Sequence, residues 1–164
     1  MLIRNLLAFV ALTLAVSSQA AMINLAATID GSQANAGAGT GSPGTGSAQM
    51  TLDDATGMFT WTVQWSDLQG MVTVAHFHGP AAPDQNAGVE VAIDAGSNPA
   101  MGMEVLDAQQ QADLLAGLWY VNIHSDAFPS GEIRGQVNVV PLPAAAWLFG
   151  SAILGLLVLG RRRA

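Results

Sequence analysis

Apolar and polar residues alternate along most of the chain, in the pattern that half-buried β-strands produce. The clearest case is residues 59–65, where Phe59, Trp61 and Val63 share one face and polar residues share the other. The same alternation predicts strands at 21–29, 48–52, 59–65, 71–78, 89–93, 118–124 and 133–139. Short strands at such spacing indicate an all-β, antiparallel domain, either a Greek-key-like β-sandwich or a partly closed barrel.

Three segments interrupt this alternation. Residues 34–47 are mostly Gly, Ala, Ser and Thr, which predicts a loop rather than a regular element. Residues 98–103 fit neither a strand nor a helix clearly. Residues 107–115 predict the one short helix, because Asp107 can cap its start and Gln110 lies where a capping box needs a glutamine or glutamate.

The N-terminal segment, Met1 to Ala20, has the pattern of a secretory signal peptide. Arg4 precedes an apolar run at 6–16, and the small residues Ser18 and Ala20 lie directly before the predicted cleavage point. A retained membrane anchor is the alternative, although the apolar run is short for a membrane span. We therefore expect cleavage by signal peptidase and export across the inner membrane.

The C-terminal segment, residues 140–164, combines a proline-containing motif, a long apolar run and a basic cluster. The apolar run from Leu142 to Gly160 is long enough to cross a bilayer as a transmembrane helix. A stop-transfer cluster follows, formed by Arg161, Arg162 and Arg163, and it is expected to stay cytoplasmic. The domain before this segment is therefore predicted to lie outside the cytoplasm, anchored in the inner membrane until it is processed.

The proline-containing motif is Val140, Pro141, Leu142, Pro143 and Ala144. Together with the apolar run and the terminal arginines, it resembles the VPLPA-CTERM class of bacterial sorting signals, which belongs to the PEP-CTERM type. The resemblance implies that an exosortase-like transpeptidase cuts the segment, which would deliver the domain to the periplasm, the outer surface or the extracellular space. A plain tail anchor predicts the same topology but gives no reason for the prolines.

The charge of the chain is concentrated between its two ends. All 12 acidic residues lie between Asp30 and Glu132, and of the 5 arginines only Arg134 lies away from the ends. The stretch between the terminal arginines therefore carries 1 − 12 = −11, against −7 for the whole chain. Such a surface repels nucleic acid, which we exclude as a partner. The chain has no cysteine, so it has neither disulfides nor thiolate metal ligands.

The three histidines lie in two predicted strands whose outward faces are expected to meet. Residues two apart on a strand share a face, so His76 and His78 point the same way, opposite Ala75 and Phe77. His124 lies on the face opposite the apolar residues of its own strand. Any special chemistry of this chain is predicted where these two faces meet.

Two roles are open for the histidines. Three imidazoles suit a mononuclear zinc or copper site, with water, Asp84 or Asp126 as the fourth ligand. The structural alternative is that the histidines and Asn122 hydrogen-bond neighbouring loops and fix the turns. Glu132 and Arg134 lie two apart on the predicted outward face and are expected to form an ion pair with each other or with a histidine.

Four motifs, in this order, carry a resemblance to a known family: AHFHGP at 75–80, GV at 88–89, GLWYVNIH at 117–124 and PSGEIRGQ at 129–136. With this order and spacing, the chain over residues 22–139 resembles the chordin-like domain, called CHRD. The resemblance implies an all-β domain of a kind found in chordin and in many exported bacterial proteins. It implies no reaction.

The two spaced histidines followed by a third on a later strand also resemble, locally, copper–zinc superoxide dismutase. The dinuclear site of that enzyme needs more imidazoles than the 3 of this chain, and its disulfide is missing here. Full dismutase activity is therefore not predicted, and no catalytic residue is assigned.

The predicted organisation is a signal peptide at 1–20, a CHRD-like β-domain at 21–139 and a sorting signal with its membrane helix at 140–164. The leading hypothesis is an exported, surface-sorted, non-catalytic domain with a binding or structural role in the cell envelope or extracellular matrix. The alternative is a zinc- or copper-binding surface domain that buffers metal or takes part in redox chemistry. The sequence requires no cofactor, and zinc or copper is the candidate.

Overall fold

The computed structural model describes residues 21–141. These residues form nine strands and one helix. The strands are β1 Met22–Asp30, β2 Thr45–Asp53, β3 Met58–Ser66, β4 Val72–His78, β5 Val89–Ile93, β6 Ala100–Val105, β7 Tyr120–Ser125, β8 Ile133–Gln136 and β9 Asn138–Val139, and the helix is α1 Ala108–Leu115. The predicted all-β class with one short helix is confirmed.

The strands form one antiparallel sheet that curls into a nearly closed, barrel-like shape. The strand order is β5-β4-β7-β8-β1-β2-β3-β6, and β9 pairs with β1 beside β8. Pairing between β1 and β2 runs the full length of both strands, whereas β1 meets β8 at the pair Asp30 and Arg134. Of the two predicted architectures, the structure has the barrel-like one.

Aromatic side chains fill the interior of the curled sheet. Phe59 and Phe77 meet edge to face with ring centroids 5.1 Å apart, and Phe59 meets Trp119 in the same way at 6.0 Å. Such pairs contribute about 0.5–1.5 kcal/mol each beyond the burial of their surface. Trp119 also lies against Gly79, where a Cβ atom would overlap its indole ring. Gly79, directly after His78, must therefore be glycine for Trp119 to pack in the core.

The alternation of apolar and polar residues did not predict β6 or the first residues of β2. Residues 98–103 lie largely in the edge strand β6, on which Met101, Met103 and Val105 are exposed. These apolar residues on the solvent side hide the alternation that a strand normally shows. β2 begins at Thr45, inside the segment predicted as a loop.

The helix has the predicted start. Asp107 caps it by accepting the backbone N–H groups of Gln109 and Gln110, and the Gln110 side chain accepts the N–H of Asp107. Gln110 also donates to the Glu90 carboxylate at 2.9 Å, which ties the helix to β5. Leu114 is fully buried and anchors the helix to the core.

The terminal predictions lie outside the described residues. These are the signal peptide at 1–20, the membrane span from Leu142 to Gly160, the arginine cluster at 161–163, and the sorting motif beyond Pro141. Within residues 21–141, no helix is both long enough and apolar enough to cross a membrane.

Candidate metal centre

Two neighbouring strands bring the three histidines together. β4 and β7 pair antiparallel, with His76 opposite Asn122 and Val74 opposite His124. The residues that alternate with the histidines on each strand are buried in the core. The histidines therefore share the outer face of the sheet, as strand parity predicts.

The three imidazole rings form a compact triangle. Ring centroids are 5.5 Å apart for His76 and His78, 5.5 Å for His76 and His124, and 5.9 Å for His78 and His124. One nitrogen of each ring lies within 4.8 Å of those of the other two. His78 is buried, whereas His76 and His124 are half-buried, so solvent reaches the triangle from their side.

Backbone carbonyls fix the orientation of two of the rings. His78 Nδ1 lies 3.1 Å from the Ala87 oxygen, and His124 Nδ1 lies 2.8 Å from the Pro129 oxygen. Because a carbonyl oxygen only accepts, both Nδ1 atoms carry the proton, so in the neutral form of each ring Nε2 keeps a lone pair. This is the arrangement in which a histidine ligates a metal through Nε2 while its other nitrogen is held in place.

Two imidazole nitrogens, His76 Nδ1 and His78 Nε2, are buried without a hydrogen-bond partner in the described part of the chain. The third ring differs, because Asn122 Nδ2 lies 3.2 Å from His124 Nε2 and also donates to the Ser130 oxygen at 3.3 Å. A buried polar atom without a partner costs about 1–3 kcal/mol. Coordination to a metal ion is one way in which a buried imidazole nitrogen gains a partner.

Burial keeps two of the rings in the form that binds metal. Burial lowers the pKa of His76, and positive charge on His124 and His78 would lower that pKa further. Burial also lowers the pKa of His78, and the charges of His124 and Arg134 act in the same direction against the raising effect of its backbone hydrogen bonds. A lowered pKa favours the neutral imidazole, which is the metal ligand.

The two predicted fourth ligands have other surroundings. The carboxylate of Asp126 accepts the backbone N–H of Met71 at 2.8 Å. Asp84 lines a small surface cavity together with Arg134 and Gln136. Among residues 21–141, the group of side chains close enough to share one ion consists of the three histidines alone.

The strands that carry the histidines lie inside a region that matches a known family. The comparison with protein families finds the CHRD domain over residues 25–137, which is more than half of the chain. The chain belongs to the CHRD domain family. The matched region includes β4 and β7 with all three histidines. The comparison with curated proteins finds no match.

In this CHRD domain, Arg134 holds the loop 79–88 that follows His78. Its guanidinium donates to the Gln85 oxygen at 2.7 Å, the Ala82 oxygen at 3.1 Å and Asn86 Oδ1 at 3.3 Å. Arg134 is only 2 % exposed, although its position on β8 predicted an outward side chain. The loop covers the outer face of the sheet here, and the loop rather than Glu132 supplies the acceptors.

An aromatic stack connects Arg134 to the site. The Arg134 Cζ atom lies 3.5 Å from the centre of the Tyr120 ring, and that ring stacks on His78 with centroids 5.0 Å apart and planes 6° from parallel. The Tyr120 hydroxyl accepts the Ala87 N–H at 3.1 Å, and the Ala87 oxygen is the one that orients His78. Arg134 and Tyr120 are therefore positioning residues for His78.

Glu132 of the CHRD domain organises a second loop. Its fully buried carboxylate accepts the Ser42 hydroxyl at 2.6 Å and the N–H groups of Gln69 at 2.5 Å and Gly70 at 3.3 Å. Burial alone would raise the pKa of Glu132, but hydrogen bonds from Ser125, Ser42 and these N–H groups outweigh burial and lower the pKa. Hydrogen bonds rather than an ion pair with Arg134 therefore keep Glu132 charged.

Sequence reasoning placed Tyr120, Asn122 and His124 on one face, but it did not predict the contacts by which Tyr120 and Arg134 position His78. The signal for Tyr120 is strand parity, because it lies four residues before His124 on β7 and so shares the outer face with it. No local pattern revealed that the loop 79–88 would close over that face.

Proposed function

We propose that this CHRD domain binds one divalent transition-metal ion, zinc or copper, through His76, His78 and His124. The observation that carries the proposal is the convergence of three imidazoles, two of which are held at Nδ1 by backbone carbonyls. It is supported by His76 Nδ1 and His78 Nε2, which are buried and have no hydrogen-bond partner within residues 21–141.

The donor set favours zinc and copper over other ions. Imidazole nitrogens suit Zn²⁺ and Cu²⁺, whereas Ca²⁺ and Mg²⁺ prefer oxygen ligands. Tetrahedral zinc places its nitrogen ligands about 3.4 Å apart, given Zn–N bonds of about 2.0–2.1 Å. The three nitrogens already lie within 4.8 Å of one another. Small rotations of the half-buried rings of His76 and His124 would close the remaining distance.

We further propose that the domain works outside the inner membrane, where it buffers or presents the metal at the cell surface. The signal-peptide pattern at 1–20 and the VPLPA motif at 140–144 support export and surface sorting.

A purely structural role in the cell envelope or matrix is the second candidate function. The observation that favours it is that His78 and His124 each hydrogen-bond a loop carbonyl and so fix a turn. His76 separates the two candidates, because its buried Nδ1 has no hydrogen-bond partner in the described part of the chain.

Replacing His76 with alanine should weaken the binding of zinc and copper at least tenfold, because one of three ligands is lost while the two loop contacts remain. The measurement is calorimetric titration of metal into protein purified without a histidine tag. Thr73→Ala, an exposed change on the same strand, should bind metal like the wild type. Equal binding by wild type and His76→Ala, or none by either, would leave the structural role.

The sorting proposal predicts the mass of the mature protein. Protein released from the cell surface should begin after Ala20 and should lack residues 148–163. Mass spectrometry of the released protein measures both ends. Detection of residues 148–163 in that material would favour a plain tail anchor over transpeptidase processing.

A further inference from the structure

We propose that the metal-loaded site takes one small anion from solution as an additional ligand, with Asn122 donating a hydrogen bond to it. This inference rests on the proposed function, because it requires the metal to be bound by the three histidines. The ligand class is a monodentate anionic donor such as hydroxide, azide or a carboxylate.

The charge of the metal-loaded site favours an anionic ligand. Three neutral imidazoles contribute no negative charge, so a bound dication would keep its full charge of +2. The cationic Arg134 lies behind His78, beyond the Tyr120 ring on which both of them stack. An anionic ligand would therefore be favoured over a neutral one, because the site is only partly screened by water.

The carboxylates of Asp126 and Glu132, which lie near His124 in sequence, accept hydrogen bonds from other groups. Asp126 accepts the Met71 N–H, and Glu132 accepts the Ser42 hydroxyl and two backbone N–H groups. No carboxylate within residues 21–141 belongs to the group that could share the ion. The compensating charge must come from outside this part of the chain.

One side of the histidine triangle is open to solvent. His78 is 8 % exposed and forms the closed back of the site, whereas His76 and His124 are half-buried at its front. Three protein donors leave a fourth position of a tetrahedral ion to a non-protein ligand. The exposed side of the triangle places that position toward solvent.

Asn122 supplies the hydrogen bond that would select an anion. Its Nδ2 lies 3.2 Å from His124 Nε2 and is fixed by its bond to the Ser130 oxygen. Gly131 leaves room for this amide, because a Cβ atom there would overlap Asn122. When metal takes the His124 lone pair, one N–H of Asn122 loses its acceptor and points at the edge of the metal site. A coordinated anion would accept that N–H.

The test is a titration of azide into the copper-loaded full chain, followed by the ligand-to-metal charge-transfer absorption and by electron paramagnetic resonance. Saturable binding of one azide per copper is the expected result. Bound copper with an unchanged spectrum at saturating azide would overturn this inference and leave the proposed function intact. Failure of copper itself to bind would overturn the proposed function, and this inference with it.

Two variants identify the role of Asn122. Asn122→Asp places a carboxylate beside His124, so copper should still bind while the affinity for azide falls at least tenfold. Asn122→Ala removes the donor and should weaken azide several-fold without removing copper. Asn24→Asp adds the same charge on β1, two positions from β7 in the sheet, and should leave azide binding unchanged. Wild-type azide affinity in both Asn122 variants would overturn the assignment.

Discussion

Replacing Arg134 with lysine should destabilise the CHRD domain by about 3 kcal/mol even though the positive charge is kept. The guanidinium is 2 % exposed and donates to the Gln85 and Ala82 oxygens at 2.7 and 3.1 Å. An ammonium group is a compact donor that cannot reach both carbonyls and also lie flat on the Tyr120 ring. Each buried acceptor left without a donor costs about 1–3 kcal/mol.

Urea unfolding of wild type, Arg134→Lys and Arg134→Met measures this effect. If the fork-shaped geometry of the guanidinium matters, both variants should lose comparable stability. If only the positive charge matters, the lysine variant should be as stable as the wild type. Because the loop 79–88 supplies the carbonyl that orients His78, zinc affinity should also fall at least tenfold in Arg134→Lys. An Arg134→Lys protein with wild-type stability and wild-type zinc affinity would contradict the positioning role.

Replacing Glu132 with glutamine should lower the free energy of unfolding by about 3 kcal/mol at neutral pH. Charge-assisted hydrogen bonds are lost, and the new amide N–H₂ group faces other hydrogen-bond donors. The carboxylate accepts the Ser42 hydroxyl and the N–H groups of Gln69 and Gly70. A glutamine can present its oxygen to some of these donors, but its amide N–H₂ then faces the others. Chemical denaturation at pH 7 measures the loss.

The same residue predicts a pH dependence of stability. The pKa of Glu132 is lowered in the folded state, where its hydrogen bonds outweigh the opposing effect of burial. A group of this kind stabilises the fold above its unfolded pKa, and that contribution is lost as the pH falls through the folded pKa. Wild type should therefore lose more stability than Glu132→Gln between neutral pH and about pH 3. The control Glu104→Gln, an exposed change on β6, should show the wild-type dependence of stability on pH. If Glu132→Gln shows that same dependence, Glu132 is not the group responsible.

The strands and the histidine face could be predicted because each depends on a local rule. Alternation places Phe59, Trp61 and Val63 in the core, and all three are buried. The same rule places His76 and His78 opposite the buried Phe77, on the outer face. Parity is fixed by the geometry of a strand, so it can be known before the partner strand is known.

The surroundings of the outer face could not be predicted in the same way. Arg134 and Glu132 alternate with buried apolar residues and were expected to be solvent-exposed, yet both are buried. The loop 79–88 covers Arg134, and residues Gln69 and Gly70 cover Glu132, from positions about 50 and 60 residues away in sequence. Such contacts are tertiary, and periodicity along one strand carries no information about them.

On β6 the prediction failed for the opposite reason, because apolar residues are exposed there instead of polar residues being buried. Its outward residues Met101 and Met103 are apolar although they are exposed, so the binary pattern of a half-buried strand is absent. Its pairing with β3, for example Thr60 with Met103, makes it a strand all the same. Here backbone hydrogen bonding to a strong neighbour decides the structure, and side-chain pattern does not.

The position of β1 has a consequence for how the chain acquires its fold. β1 takes partners from both ends of the domain, because Met22 pairs with Asp53 in β2 while Asp30 and Leu25 pair with Arg134 and Val139. Pairings between such remote parts of the chain form slowly, since the intervening loop must lose its entropy before the contact rewards it. As the ribosome releases the chain from its N-terminus, β1 can pair with β2 early, but its pairings with β8 and β9 wait for nearly the last residues of the domain to be synthesised. The sheet is therefore completed only when almost the whole domain has been synthesised.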